Sequence, residues 1–521
     1  MRGKAILPYL RAPGSFKRSL CENSWAFHIL CVPAFGQCSS RSELRPVHHI
    51  AGTDRTQAVL LPEVLDDYVG ADNPVRFLDA FVAQLDLGSL GFQRAEPAET
   101  GRPGYDPGDL LRLYLYGYLH RIRSSRRLEQ ETHRNVELMW LLRRLTPDFK
   151  TIADFRRDHP HALTGVGREF ILLCRRLDLF GGELLAIDGS KFRAVNARDK
   201  SYTPARLATL QRDIDRTLAR YLRELERQDE AEAGTEGPSA EALRDQIAAL
   251  QQRRARYEGL QQELAASGET ARSLTDADSR PMMSGGRIEV CYNVQTAVDA
   301  KHKLIVAADV TNAASDRDQL SPMATAAQEL LGGAMPVVVA DQGYYHGAEI
   351  KRCLEAGLTP LVPRPLTSAN EARGLFTKDD FAYDPGADLY RCPAGETLTY
   401  RTTTLELGRT IKNYRTSACG RCALQPRCTR NKDGRKLTRW VDEHLLEAMA
   451  QRLGHDRARF AQRKALSEHP FGTMKRGMDQ GYFLLKGLRK VRGEFSLTTL
   501  AYNLKRVLHL VGVPRLLEAL A

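Results

Sequence analysis

Leu184-Leu185-Ala186-Ile187-Asp188-Gly189-Ser190 is an apolar run that ends on a carboxylate. Four apolar residues are too few for a buried helix, and Gly-Ser breaks the run, so it predicts a buried strand with an acid at its end. Val337-Val338-Val339-Ala340-Asp341 has the same texture and continues as Gln342-Gly343-Tyr344. Val290 to Val298 and Leu304 to Val310 read as two further strands, and Gln319 to Leu331 as a helix. The expectation is an α/β fold, a mixed sheet with helices against it.

Upstream, from Ile50 to about Pro160, the pattern is helical. Pro107-Gly108-Asp109 opens a run rich in Leu and Tyr, Ser124-Ser125 restarts it, and Thr146-Pro147 offers a cap followed by proline at the first helical position. Arg121, Arg123, Arg126, Arg127, Arg134, Arg143 and Arg144, then Lys150, Arg156 and Arg157, stud this stretch. They suit a helix-turn-helix-like DNA reader and equally the solvated face of a helical bundle. After the first strand, Thr203-Pro204 starts a helix with Leu207, Leu210, Ile214, Leu218, Leu222 and Leu225 on one stripe. Gly234 to Pro238 breaks it, and Leu243, Ile247, Leu250, Tyr257 and Leu264 resume it, which predicts a helical hairpin inserted into the sheet domain.

The 521 residues leave room for several domains of roughly 100 to 200 residues each. Hydrophobic residues make up 42% and charged residues 27%, and no apolar run reaches the about 18 residues that span a bilayer, so an integral membrane protein is excluded. The formal net charge of +12 favours a polyanionic partner. Ten cysteines are too sparse for a secreted disulfide scaffold and point to a reducing cytosol. Residues 1–48 differ in character: the patch Trp25 to Val32 is interrupted by His28 and makes a poor secretory leader. A disordered arm or a misplaced start codon accounts for this segment.

Carboxylates at neighbouring strand ends come within reach of a shared divalent cation. Two such cations about 3.5 to 4 Å apart can activate a nucleophile and stabilise the leaving oxygen in phosphodiester attack. A third acid, Glu468, lies in Arg463-Lys464-Ala465-Leu466-Ser467-Glu468-His469-Pro470-Phe471-Gly472-Thr473-Met474-Lys475. With this order of acids the chain resembles the DDE transposases of bacterial insertion sequences. The resemblance covers about Ile50 to the C-terminus and includes Tyr292-Asn293-Val294-Gln295. It implies a ribonuclease H-like catalytic domain, with Asp188 at the end of the first strand, Asp341 after the fourth and Glu468 on a late helix. The stretch Asp341-Gln342-Gly343-Tyr344 fits, as do Lys464 three residues before Glu468 and Lys475 six after it, counting intervening residues. Alternatively Arg463 is the basic counterpart, which brings Phe460 into the aromatic slot and makes the spacing to Glu468 one residue long.

Cys392, Cys419, Cys422 and Cys428 have the grouping of a structural zinc site, and the family it resembles often carries such an insert between the second Asp and the Glu. From Arg457 to Val507 there are twelve Lys or Arg against three acids. Lys464, Lys475, Arg476, Lys486, Arg489 and Lys490, together with Arg126 and Arg127, are therefore candidate DNA contacts, although Phe495, Leu497, Leu500, Leu504 and Val507 also make an ordinary core stripe.

The expected layout is an atypical extension over 1–48 and a helical DNA-binding domain over 49–165. The ribonuclease H-like domain comprises 166–200, 285–370 and 445–521, with a helical hairpin over 201–284 and a zinc-ribbon-like insertion over 388–440. The expected protein is a cytoplasmic, nucleoid-associated transposase that acts as a homodimer on double-stranded DNA. Asp188, Asp341 and Glu468 would bind Mg²⁺ or Mn²⁺, and the four cysteines Zn²⁺. A nuclease without strand transfer would share the three acids. A silent DNA-binding derivative would have lost some of them.

Overall fold

The computed structural model describes residues 64–96, 104–196, 201–230, 240–269, 271–365 and 370–521. The extension 1–48 and the break at 234–238 lie outside the described residues. Six helices open the fold: α1 (Pro74–Ala83), α2 (Pro107–Leu119), α3 (Ser125–Thr132), α4 (Val136–Leu141), α5 (Phe149–Asp158) and α6 (Pro160–Arg176). Their starts follow from capping. The Asn73 side chain accepts from Val75 N–H and that of Asp106 from Gly108 N–H, each ahead of a proline in the first turn. α5 starts at Asp148 instead of the expected Thr146-Pro147, because the Asp148 carboxylate accepts from both Lys150 and Thr151 N–H. α6 runs straight through residues 165 and 166, so the domain boundary expected there falls inside one helix.

The main sheet starts with β1 (Leu184–Arg193). A two-residue β2 (Ser201–Tyr202) leads into α7 (Pro204–Glu230) and α8 (Ala240–Ser267), the expected hairpin, which buries Leu207, Ile214, Leu243, Ile247, Leu260 and Leu264. β3 (Arg272–Ser273) pairs with β2 and closes the insertion. β4 (Arg280–Ser284), β5 (Arg287–Asp299), β6 (Ile305–Thr311), α9 (Leu320–Leu330), β7 (Val337–Val339), α10 (Gly347–Glu355) and β8 (Thr359–Leu361) follow. β4 pairs with β5 in the main sheet, so the insertion ends earlier than residue 284. β1 runs antiparallel to β5 and parallel to β7, β5 is antiparallel to β6, and β7 is parallel to β8. The sheet runs β4-β5-β1-β7-β8, with β6 also paired to β5, and is the mixed sheet with helices expected from the sequence.

A separate antiparallel sheet holds β9 (Ala382–Asp384), β10 (Leu389–Arg391), β11 (Thr397–Glu406), β12 (Arg409–Arg415) and β13 (Leu437–Trp440), with the short α11 (Gln425–Cys428) beside it. It has its own core of Phe381, Tyr390, Leu398, Tyr414 and Leu437. The chain ends in α12 (Glu443–His455), α13 (Arg457–Gly472), α14 (Leu488–Val511) and α15 (Val513–Glu518).

α14 departs from the one-sided stripe read in its sequence. Glu494, Thr498 and Asn503 are buried along with Phe495, Leu500 and Leu504, because the helix packs against α2 and α6 on one side and β6 on the other. Its buried side-chain polar groups are matched: Asn503 accepts from Ile305 N–H at 2.9 Å and donates to Ile305 C=O at 2.8 Å, completing the ladder at the start of β6. One hydrophobic core thus runs from the N-terminal helices through α14 to the sheet. Among the described residues no helix is long and apolar enough to cross a membrane.

Candidate active site

Parallel pairing of β1 with β7 aligns Ala186 with Val339. Asp188 lies two residues beyond Ala186, and Asp341 two beyond Val339, so two acids 153 positions apart become neighbours. Asp188 is not at the strand end as expected. β1 continues to Arg193, because β5 pairs with it along the whole length from Leu185 to Arg193. Asp341 stands where β7 has ended, and its carboxylate accepts from Gly343 N–H at 2.8 Å to start a tight turn over Gln342–Tyr344.

Strand alternation turns Ala186, Asp188 and Ser190 to one face. There Ala186 packs with Val339, Leu361 and Leu466, with Phe460 against the same cluster. Burial raises the Asp188 carboxyl above its usual range, and the charge of Asp341 adds to the rise; the Ser467 hydroxyl, Gly189 N–H and Arg463 oppose it. Two converging carboxylates, one of them desolvated, make an all-oxygen donor set that favours a hard divalent cation.

α13 covers this face with Phe460, Arg463 and Ser467, at helical steps of three and four. Arg463 Nη1 is 3.9 Å from Asp188 Oδ2, whereas Lys464 is exposed and lies 3.9 Å from Glu468. The pairing of Phe460 with Arg463 is therefore the one that faces the sheet. Glu468 follows Ser467 one step around the helix, and its side chain is 65% exposed. The sheet brings two of the three expected acids together, and Glu468 stands outside that pair. Among the described residues, the three-ligand His, Cys, Asp or Glu group with all its ligand atoms within 4.8 Å is Asp318, His346 and Glu349. Glu349 is already taken there: it accepts from Ser321 N–H at 2.9 Å, capping α9, and from Arg352 at 2.7 Å.

The expected basic residues divide into two kinds. Lys475 donates to Ser190 Oγ at 2.6 Å and to Lys191 C=O at 2.9 Å, with its ammonium over the Phe192 ring, so it is engaged by β1 beside Asp188. Arg476, Lys486 and Arg489 are exposed, and Lys490 is half-buried. Arg126 and Arg127 are exposed and line an open cleft with Arg121, Phe149 and Tyr482. Arg123 and Arg156, which the sequence grouped with them, are buried: Arg123 bonds Glu494 and Tyr482 C=O, and Arg156 bonds the Tyr118 hydroxyl. Arg143 is held by Asp109 at 2.7 Å. No local signal in the sequence separates these arginines from the exposed ones.

Cys392 follows β10, Cys419 and Cys422 follow β12, and Cys428 ends α11; all four border one small apolar cavity beside Phe381 and Leu398. Burial raises the Cys428 thiol, and the other three sulfurs add to the rise while Arg435 opposes it. Thiols that crowd one another in this way fit a thiophilic cation.

Residues 391–508 match the family model described as Transposase DDE domain, and residues 63–158 match the one described as Transposase domain (DUF772). The first segment contains Glu468 and all four of these cysteines, and reaches from β10 to α14. The second holds α1 to α5. Asp188 and Asp341 lie between the two. No curated protein and no solved structure matches the chain.

Proposed function

From the premise that the chain belongs to the insertion-sequence DDE transposases, we propose that it cleaves the ends of its element by metal-assisted hydrolysis and joins the freed 3′-hydroxyl to target DNA. The observation that carries this reading is the β1–β7 register, which sets Asp188 beside Asp341 under α13. When bound, a divalent cation supplies polarisation of the scissile phosphate and an activated oxygen nucleophile.

In this reading Asp188 and Asp341 hold the cation. Glu468, exposed on α13, completes the set from the solvent side by turning its side chain. Arg463 balances the paired carboxylates from α13. Lys475 fixes the strand that carries Asp188, and Arg476, Lys486 and Arg489 meet the DNA backbone with Lys464 and Lys490. Arg126 and Arg127 take the element's end along their cleft, with base reading assigned to the helical region. Two ends held at once call for two copies of the chain.

The test uses the full chain with a duplex carrying the inverted ends that bracket its gene. The expected result is Mg²⁺-dependent cleavage at the ends and a joined product with a second duplex. Cleavage without any joined product would leave the nuclease reading in its place.

The four cysteines are proposed to hold one structural zinc that ties the turn after β10 to the segment after β12. Metal analysis of protein purified under reducing conditions should find about one zinc per chain. Cys419→Ser or Cys422→Ser should lower that content and loosen the β9–β13 sheet, leaving the Mg²⁺ requirement of cleavage unchanged. A stable wild-type fold without zinc would remove the site.

A further inference from the structure

Behind the sheet face that carries Asp188 lies a buried polar network that catalysis as proposed does not use. Tyr344 closes the turn that Asp341 opens, and its side chain is fully buried. Its hydroxyl donates to Gln295 Oε1 on β5. The Gln295 amide in turn donates to Asp316 Oδ1 at 2.7 Å, and Asn293 Nδ2 does so at 2.6 Å, with Lys191 Nζ at 3.3 Å. The direction of this relay is fixed. Asp316 accepts, so the Gln295 nitrogen faces it and its oxygen faces Tyr344, which must donate.

β1 lies between β7 and β5, so a tyrosine on the β7 side that reaches Gln295 has to pass β1. Gly189, the residue next to Asp188, is the direct partner of Gln295 in the β1–β5 register. A Cβ at position 189 would sit 2.5 Å from Gln295 Nε2 and 2.6 Å from Asp316 Oδ1. Any larger residue there would occupy the space that the network fills. The turn itself leaves as little freedom, since a Cβ on Gly343 would come 2.9 Å from Asp341 Oδ1.

We infer that Tyr344, Gln295 and Asp316 form a latch through the gap at Gly189, which holds the Asp341 turn at a fixed distance from Asp188 so that the two carboxylates meet one cation. They are positioning residues, and the inference rests on the metal reading given above. β7 is three residues long and pairs with β1 at three positions, so its ladder ends before Asp341. The latch supplies the cross-strand tie that the ladder does not. Burial and the charges of Asp316, Asp188 and Asp341 hold the Tyr344 hydroxyl well above its usual range, which keeps it a donor throughout the working pH range.

The test compares Tyr344→Phe, which keeps the ring and removes the donor, with Asp188→Asn and wild type. All three are full-length, and Mn²⁺ binding is measured by electron paramagnetic resonance without DNA. The Tyr344→Phe protein is expected to melt within a few degrees of wild type and bind the same duplex with the same affinity. Its Mn²⁺ binding should weaken by about 10- to 100-fold, the range for outer-shell partners of metal ligands. Its cleavage should recover in part as Mg²⁺ is raised. If Tyr344→Phe does not fold, Gln295→Met carries the same expectation with Tyr344 intact. Unchanged Mn²⁺ affinity in the folded latch variant, beside an Asp188→Asn protein that has lost it, would overturn the latch alone. Asp188→Asn that binds Mn²⁺ like wild type would overturn the metal reading and the latch with it.

Discussion

Asp188→Ala and Asp341→Ala should each lose Mg²⁺-dependent cleavage by roughly a thousandfold or more, since a cation that stabilises a phosphoryl transition state contributes several kcal/mol. Binding of the end-containing duplex should remain, because the exposed arginines and lysines lie on other elements. Stability should not suffer either. Burial and the neighbouring Asp341 raise the Asp188 carboxyl, so its charged form costs free energy in the metal-free fold. A group raised in this way favours folding most below the ordinary carboxylate range, and that contribution is lost as pH rises through the raised value. At neutral pH the metal-free Asp188→Ala protein is therefore expected to melt at or above the wild-type temperature, and added Mg²⁺ should stabilise wild type but not the variant. Parallel cleavage, gel-shift and melting measurements check all three. Near wild-type cleavage by either variant would remove that residue from the site.

Glu494→Ala should cost about 3 to 5 kcal/mol of stability, the range for breaking a buried ion pair by removing one partner. Glu494 is fully buried on α14 and accepts from Arg123 Nη2 at 2.7 Å, from Leu484 N–H at 3.0 Å and from Leu485 N–H at 2.9 Å. Truncation would leave a buried guanidinium without its counter-charge and two backbone donors without an acceptor. The pair also joins the helical N-terminal region to the C-terminal helix, so the helices α1 to α5 taken alone would lack the partner of Arg123. Urea unfolding of the full chain measures the loss. The double variant Arg123→Met with Glu494→Leu, which removes both charges, should recover much of it. A single-variant loss under about 1 kcal/mol would show that the pair is dispensable.

Much of the catalytic fold was legible in one dimension. The apolar runs ending at Asp188 and Asp341 specify strands whatever lies around them, since four or five consecutive apolar residues with no helical repeat have one economical use. The cysteine spacing and the helix start at Pro107 are equally local, whereas the start expected at Thr146-Pro147 yielded to the Asp148 cap. Pro107-Gly108-Asp109 announces α2 because a proline at the first helical position acts on backbone groups within one turn. These features survive without knowledge of partners, and they gave the strand order its ingredients and the candidate acids their names.

Partners across the sheet were decided by the tertiary structure alone. That β1 runs on past Asp188 depends on β5, about a hundred residues away, pairing with it. That Arg123 and Arg156 are interior while Arg126 and Arg127 are exposed depends on where α14 lands, because arginines at adjacent positions carry no local mark of the charge they will meet. The same holds for Arg463 against Lys464: neighbouring basic residues differ by 100° around a helix, and only the packing of α13 on the sheet selects which one faces Asp188. Periodicity along the chain sets what each segment becomes, because backbone hydrogen bonds and side-chain spacing act within a few residues. Which groups then share a site is fixed by contacts between distant segments, and the gap at Gly189, empty in sequence, takes its meaning only when Gln295, Asp316 and Tyr344 close on it.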